Sequence, residues 1–282
     1  MDEGVMAVTS LRFVVSWVLA PLLVIAAALT GGYLVSARAG DARSSLTSAL
    51  DTLPADTLVA GFTNWSAIRD ALDLGDASTP GVRAALNDDA SLRDLSTRSV
   101  IGRSVEEMHQ SFGWSAADLD WEVYGQAGDG AAMVARFDDS ISLSDVRGTP
   151  RTLGYKQDGP VWNSTSSSPI TGELAATLAS LAIVPGKRLV VAAGRETYVR
   201  TVLQVIDRDD PSLLTVRSAA DVAKALTGTD AALLQSGPVA CDATSLKKLP
   251  ADVQAQADAA IARAGDLAEV DFAGRGIVDT ST

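Results

Sequence analysis

The chain has 282 residues, 47% hydrophobic and 21% charged, which supplies a sizeable core for one or two domains and excludes global disorder. Its formal charge of −12 falls entirely after residue 43, because Arg12, Arg38 and Arg43 balance Asp2, Glu3 and Asp41 before it. So acidic a surface repels phosphate backbones and excludes nucleic-acid binding, while the single cysteine (Cys241) and single histidine (His109) exclude an intramolecular disulfide, a thiolate cluster and a histidine metal site.

The strongest local signal is the run Phe13–Val35, which has no charged residue between Arg12 and Arg38. As a helix it would be roughly 35 Å long, enough to cross a hydrocarbon core of about 30 Å. Pro21 is tolerable in a membrane helix, and Trp17 and Tyr33 lie toward the two interfaces. The reading is a tail at 1–12, a transmembrane helix at 13–35 and a juxtamembrane linker at 36–52. Ala37-Arg38-Ala39 also resembles a signal-peptide cleavage site, with the cut after Ala39, but the apolar run is longer than a signal peptide needs. The charges flanking the helix are nearly balanced. Orientation therefore rests on the tail being too short to fold: the N-terminus is expected in the cytoplasm and residues 53–282 outside the plasma membrane.

Beyond the linker, residues 57–62 form a strand candidate, and Asn64 or Ser66 can cap a helix carrying Ile68 and Leu72. Residues 79–112 hold short helical patterns with Leu86, Leu92, Leu95, Val105 and Met108 as core contacts. Leu119, Trp121 and Val123 then alternate with Asp118, Asp120 and Glu122, the period of a half-buried strand with its acids on a wet face. A Gly-Asp-Gly turn at 128–130 leads to a partner strand at 131–137. A short helix is expected from Ser142 to about Arg147, and strands at 155–159 and 161–163 flank an Asp-Gly turn.

In the second half, Glu173–Ile183 reads as a helix, 188–193 as a strand and Arg195–Ile206 as an amphipathic helix. Ser218-x-x-Asp221 resembles a capping box opening a helix to Leu226, and Ala231–Gln235 is a strand. Ala251–Ala264 is a helix with Val253, Ala257, Ala260, Ile261 and Ala264 on its apolar side, and strand pieces follow near Phe272 and Ile277. Helices and hairpins in this order predict an α+β fold on antiparallel sheet, with two similar halves meeting near residues 165–170.

Leu53-Pro54-Ala55-Asp56-Thr57, Phe62-Thr63-Asn64-Trp65-Ser66-x-Ile68, Phe112-Gly113-Trp114-Ser115 and Asp118-Leu119-Asp120-Trp121-Glu122 resemble a family of single-pass membrane-anchored proteins from high-GC Gram-positive bacteria. The likeness spans about residues 53–245. It implies an N-terminal helix and an extracytoplasmic domain, and it brings no catalytic residues.

The candidate chemistry is sparse. His109 sits in a helical stretch beside Glu106 and Glu107, with no G-x-S-x-G elbow to supply a serine. Ser245-Leu246-Lys247-Lys248 matches S-x-x-K, in which Lys248 would activate Ser245, but the companion S-D-N and K-T-G motifs are missing. Asp207, Asp209 and Asp210 could offer oxygen ligands to Ca²⁺, although Arg208 competes for them and the EF-hand spacing is absent. Neither a P-loop nor a dinucleotide fingerprint occurs, so no cofactor is expected. Cys241 is read as a small buried residue. The expected function is therefore a membrane-anchored cell-envelope protein that binds the bilayer through Phe13–Val35 and an envelope protein or ligand through its folded domain. The alternative is an extracytoplasmic hydrolase using Ser245 with Lys248, or His109.

Overall fold

Three layers organise the chain, a nine-stranded antiparallel sheet between two sets of helices, in a computed structural model that describes residues 45–75, 78–166, 168, 170, 172–243, 250–264 and 270–279. The run Phe13–Val35 and the sites at Ala39, Ser245 and Lys248 lie outside the described residues. Among the described residues no helix is long and apolar enough to cross a membrane.

In chain order, helix α1 (residues 45–50) precedes β1 (Val59–Thr63), followed by α2 (Trp65–Ala71), α3 (Pro80–Leu92) and α4 (Val105–Phe112). The hairpin β2 (Leu119–Gln126) and β3 (Ala131–Phe137) leads through α5 (Leu143–Thr152) to a second hairpin, β4 (Lys156–Asp158) and β5 (Val161–Asn163). Then come α6 (Gly172–Thr177), β6 (Ser180–Val184), β7 (Leu189–Ala193), α7 (Glu196–Asp207), α8 (Arg217–Ala225), β8 (Ala231–Ser236), α9 (Gly237–Ala243), α10 (Ala251–Ala264) and β9 (Phe272–Ile277). The strands lie in the order β4-β5-β6-β7-β3-β2-β1-β8-β9.

The central strands are buried on both faces, so β2, β3, β6 and β7 each feed two cores. One face joins Phe62, Trp121, Val123, Val134 and Val191 to Leu46 and Leu50 of α1, to Val199, Val202 and Ile206 of α7, and to Ala219 and Ala223 of α8. The other joins Met133, Ala135, Val190 and Ala192 to Trp65, Ile68, Leu86, Val105, Met108 and Phe112 from α2, α3 and α4. The alternation of apolar residues along these strands distributes them between the two clusters, as the two-residue period requires.

This architecture corrects several expectations. Residues 45–52 are not linker: Leu46, Ala49 and Leu50 are fully buried, and the fold begins before Leu53. On β2, Gly125 leaves room for Leu53, whose Cδ2 would stand 2.7 Å from an added Cβ. Residues 165–170 do not divide the domain, because β5 and β6 pair antiparallel across them and the chain from Ala42 onward forms one compact unit. The two suggested halves share one sheet.

The expected helix at 173–183 stops at Thr177, and its apolar end Ser180–Val184 is strand β6, buried between β5 and β7. A short apolar run has no periodicity to separate these outcomes, and pairing decides. The Ser218 capping box does not form, since Val216 stands at the N-cap of α8 without a side-chain cap. A capping box does occur at Ser115 and Asp118, closing the turn before β2. Leu92 is 84% exposed, and Val253 and Ile261 on the apolar side of α10 are exposed as well.

Asp51, at the end of α1, accepts hydrogen bonds from Arg208 Nη2 at 2.5 Å and Ser212 Oγ at 2.6 Å, tying α1 to the end of α7. The Arg208 bond is the main reason the Asp51 carboxyl is held below its ordinary value. A depressed carboxyl contributes stability above its unfolded value, and that contribution disappears as pH falls through the folded one. Arg208 is mostly exposed, so a double-mutant cycle on Asp51→Asn and Arg208→Gln is expected to give a coupling of only about 0.3–1 kcal/mol at neutral pH. The coupling should vanish in acid, as read by urea unfolding.

Candidate functional site

Asp118, in the turn before β2, and Asp120 and Glu122 within it occupy three environments where a single wet face was expected. A β-bulge lies between Leu119 and Trp121: Leu119 opposes Phe137 while Trp121 opposes Arg136, so Asp120 is the extra residue. The bulge sends Leu119 into one core and Trp121 into the other. From α2, the buried Arg69 donates to the Leu119 carbonyl at 2.7 Å, satisfying a group within the bulge, and pairs with Asp138 at 3.8 Å. Asp118 accepts from the Ser115 backbone N–H at 2.7 Å, and Asp120 pairs with Arg136 at the sheet rim.

Glu122 lies past the bulge and is 1% exposed. Its Oε2 accepts from Ser99 Oγ at 2.5 Å and Trp65 Nε1 at 3.2 Å, and its Oε1 from the Val100 N–H at 2.8 Å. Ser99 Oγ in turn accepts from the backbone N–H groups of Ile101 and Gly102. The segment carrying these groups rests on β1, where a Cβ on Gly61 would meet the Arg98 carbonyl at 3.2 Å. Burial pushes the Glu122 carboxyl up, outweighing the donors that favour its charged form. Strong perturbation of a carboxyl can mark a catalytic acid, but Glu122 is sealed from solvent, lines neither of the two larger clefts described below, and fastens this segment to the sheet. No sequence signal distinguishes it from Asp118 and Asp120, because the bulge that redirects it is invisible in the alternation.

The other candidates stay apart. His109 is half-buried in α4 with no hydrogen-bond partner for Nδ1 among the described residues. Asp207 ends α7, and Asp209 and Asp210 border a shallow depression beside Asp51 and Arg208. Among the described residues no three His, Cys, Asp or Glu side chains converge to hold a metal ion.

Two larger clefts remain. One, of about 490 Å³, lies beside α1 and is lined by Asp51, Asp120, Arg136, Lys187 and Arg208. Its cations are committed: Arg136 to Asp120 and Asp139, Arg208 to Asp51, and Lys187 to the Ile206 carbonyl.

The other, of about 520 Å³, lies between α5 and the β4–β5 hairpin, lined by Arg147, Arg151, Gln157, Pro160, Trp162 and Ile183. Trp162 is fixed in β5 between Gln157 of β4 and Leu181 of β6. The Arg151 guanidinium stands 5.7 Å from the Trp162 ring centroid, within cation–π range. Arg147 lies one helical turn before it, and both arginines are exposed. Arg151, Gln157 and Trp162 went unnoticed in the sequence because helix α5 extends past Pro150 to Thr152, and only that extension brings Arg151 over the hairpin. No protein-family model, no curated protein and no solved structure matches this chain.

Proposed function

We propose that this chain is a membrane-anchored cell-envelope protein whose folded domain binds a ligand without transforming it. Phe13–Val35 is the anchor, residues 1–12 remain in the cytoplasm and the domain stands outside, with the bilayer and an envelope component as partners. The observation that supports a binding role is the lining of the cleft under α5. It offers two guanidinium groups, an indole and an amide, all of which hold, and no hydroxyl, thiol, imidazole or carboxylate that would attack or move a proton.

The test uses the full chain in detergent or nanodiscs, screened by thermal shift against envelope components. A ligand present at a hundred times its Kd adds about 2.7 kcal/mol, or roughly 5–10 °C in Tm for a domain of this size. Saturable stabilisation without product is the expected result. Turnover of any component, or a serine-directed probe whose labelling Ser245→Ala abolishes, would replace binding with hydrolysis. The topology is checked separately by adding protease to intact spheroplasts, which should digest the domain, whereas full protection would invert it.

A further inference from the structure

We infer that the cleft between α5 and the β4–β5 hairpin is the recognition site for the phosphate or carboxylate group of a small organic anion. This rests on the binding reading above and gives it a location and a ligand chemistry.

The first argument is charge placement. The chain carries a net charge of −12, and many of its arginines are held by carboxylates: Arg69, Arg83, Arg136, Arg188, Arg200 and Arg208 each lie within 4.0 Å of an Asp or Glu, and of the clefts described above only the one under α5 brings together two arginines that do not. Arg147 and Arg151 have no carboxylate at that distance among the described residues. They also stand at i and i+4 on α5, a like-charge spacing that disfavours the helix by about 0.2–0.5 kcal/mol and that a bound anion would reverse. Asp158 on the neighbouring hairpin is drawn the other way, toward Arg200 at 3.2 Å, which leaves the cleft free of that negative charge.

The second argument is preorganisation. An exposed arginine ordinarily loses rotamer freedom on gripping an anion, but the Trp162 ring 5.7 Å away, within cation–π range, already favours the Arg151 guanidinium at this position. Its N–H groups have no carboxylate partner among the described residues and remain available for a two-pronged contact with an oxyanion. Trp162 is set in turn by pairing on both sides of β5, so the support is the sheet itself rather than a loop.

Size is the third argument. A volume of about 520 Å³ suits a small molecule and not a polymer surface. Pro160 and Ile183 on the wall give the rest of such a molecule an apolar bed, and Gln157 offers both a donor and an acceptor.

The experiment is calorimetric titration of the full chain in nanodiscs with phenyl phosphate, benzoate, inorganic phosphate and benzyl alcohol, repeated for Arg147→Ala, Arg151→Ala, Arg151→Lys and Trp162→Ala. The two aromatic acids are expected to bind saturably and more weakly as salt rises, while benzyl alcohol does not bind; inorganic phosphate against phenyl phosphate shows how much the ring adds. Each alanine substitution at arginine should weaken phenyl phosphate about tenfold or more, as expected for loss of a charge-assisted contact. Arg151→Lys should fail to restore it, because an ammonium cannot fork or stack alike. Trp162→Ala should weaken binding severalfold although it removes no charge. All three sites are at least partly exposed, so an unchanged Tm in each variant confirms that the loss is not unfolding.

The site is wrong if no acid gives a saturable signal up to about 10 mM, a range above ordinary recognition, or if the variants bind like the parent. Should the envelope screen yield a ligand indifferent to Arg151→Ala, this site falls and the binding role stands. Should the acids bind here while the chain turns over another compound, the site stands and the purely binding role falls.

Discussion

A fragment that begins at Leu53 is expected to lose its cooperative fold, or to unfold at a much lower urea concentration, while one that begins at Ser45 behaves like the intact domain. The difference is eight residues, and it carries Leu46, Ala49 and Leu50, all at 0–1% exposure within the cluster that includes Phe62, Trp121, Val202 and Ile206. Truncating one buried leucine to alanine costs about 2–5 kcal/mol through lost transfer and the cavity left behind. Deleting α1 removes two, uncovers the face of the sheet beneath them and breaks the Asp51 contacts to Arg208 and Ser212. The sum is on the order of the whole stability of a domain, about 5–15 kcal/mol. Urea unfolding of the two fragments decides the matter, and equal midpoints would show α1 to be dispensable.

Glu122 should produce the second large effect. Replacing it by alanine leaves the Trp65, Ser99 and Val100 donors without an acceptor in a dry core, at about 1–3 kcal/mol for each unsatisfied group. Glutamine keeps the shape but turns an N–H₂ toward one of those donors whichever way it lies, so Glu122→Gln should still cost about 1–2 kcal/mol at neutral pH.

The pH dependence gives a sharper signature. Burial raises the folded carboxyl above its ordinary 4.5, so across the interval between that value and the folded one the native state holds a proton the unfolded chain has released. Stability must then fall as pH rises through this interval and be fully retained on its acid side. Glu122→Gln should remove its share of that slope, leaving the smaller contribution of the half-buried Asp230 carboxyl, also raised by burial, and the opposite trend of depressed groups such as Asp51. Chemical unfolding from pH 4 upward would reveal it, and parallel profiles for parent and variant would mean Glu122 ionises as easily folded as unfolded.

The paired strands were the most legible part of the sequence. The hairpin at 119–137 was marked by its alternation and Gly-Asp-Gly turn, and the 155–163 pair by its Asp-Gly turn, because local chemistry alone determines such turns. Asn64 was likewise readable as a cap, and its side chain accepts from the Ala67 N–H at 3.2 Å. What escaped depended on distant partners. Leu46 and Leu50 look like isolated leucines in a polar stretch until α7 and β1 are brought beneath them. Ser180–Val184 carries no period and becomes strand only between β5 and β7. Glu122 was placed with Asp118 and Asp120 because alternation predicts a face but cannot register a one-residue bulge, and a one-residue shift moves every later side chain to the other side. The Arg147, Arg151 and Trp162 grouping joins a helix to a hairpin, and neither segment stands out alone.

The position of β1 has a consequence for how the molecule is made. This first strand lies in the interior of the sheet, with β2 on one side and β8 on the other, in register from Val59 with Gln235 to Thr63 with Ala231. During synthesis its second edge stays vacant until nearly the whole polypeptide has emerged. Closing so long a loop is entropically slow, and an unfilled strand edge invites pairing with other chains meanwhile. Yield from the cell should therefore depend on chaperone supply more steeply than the stability of the finished protein would suggest.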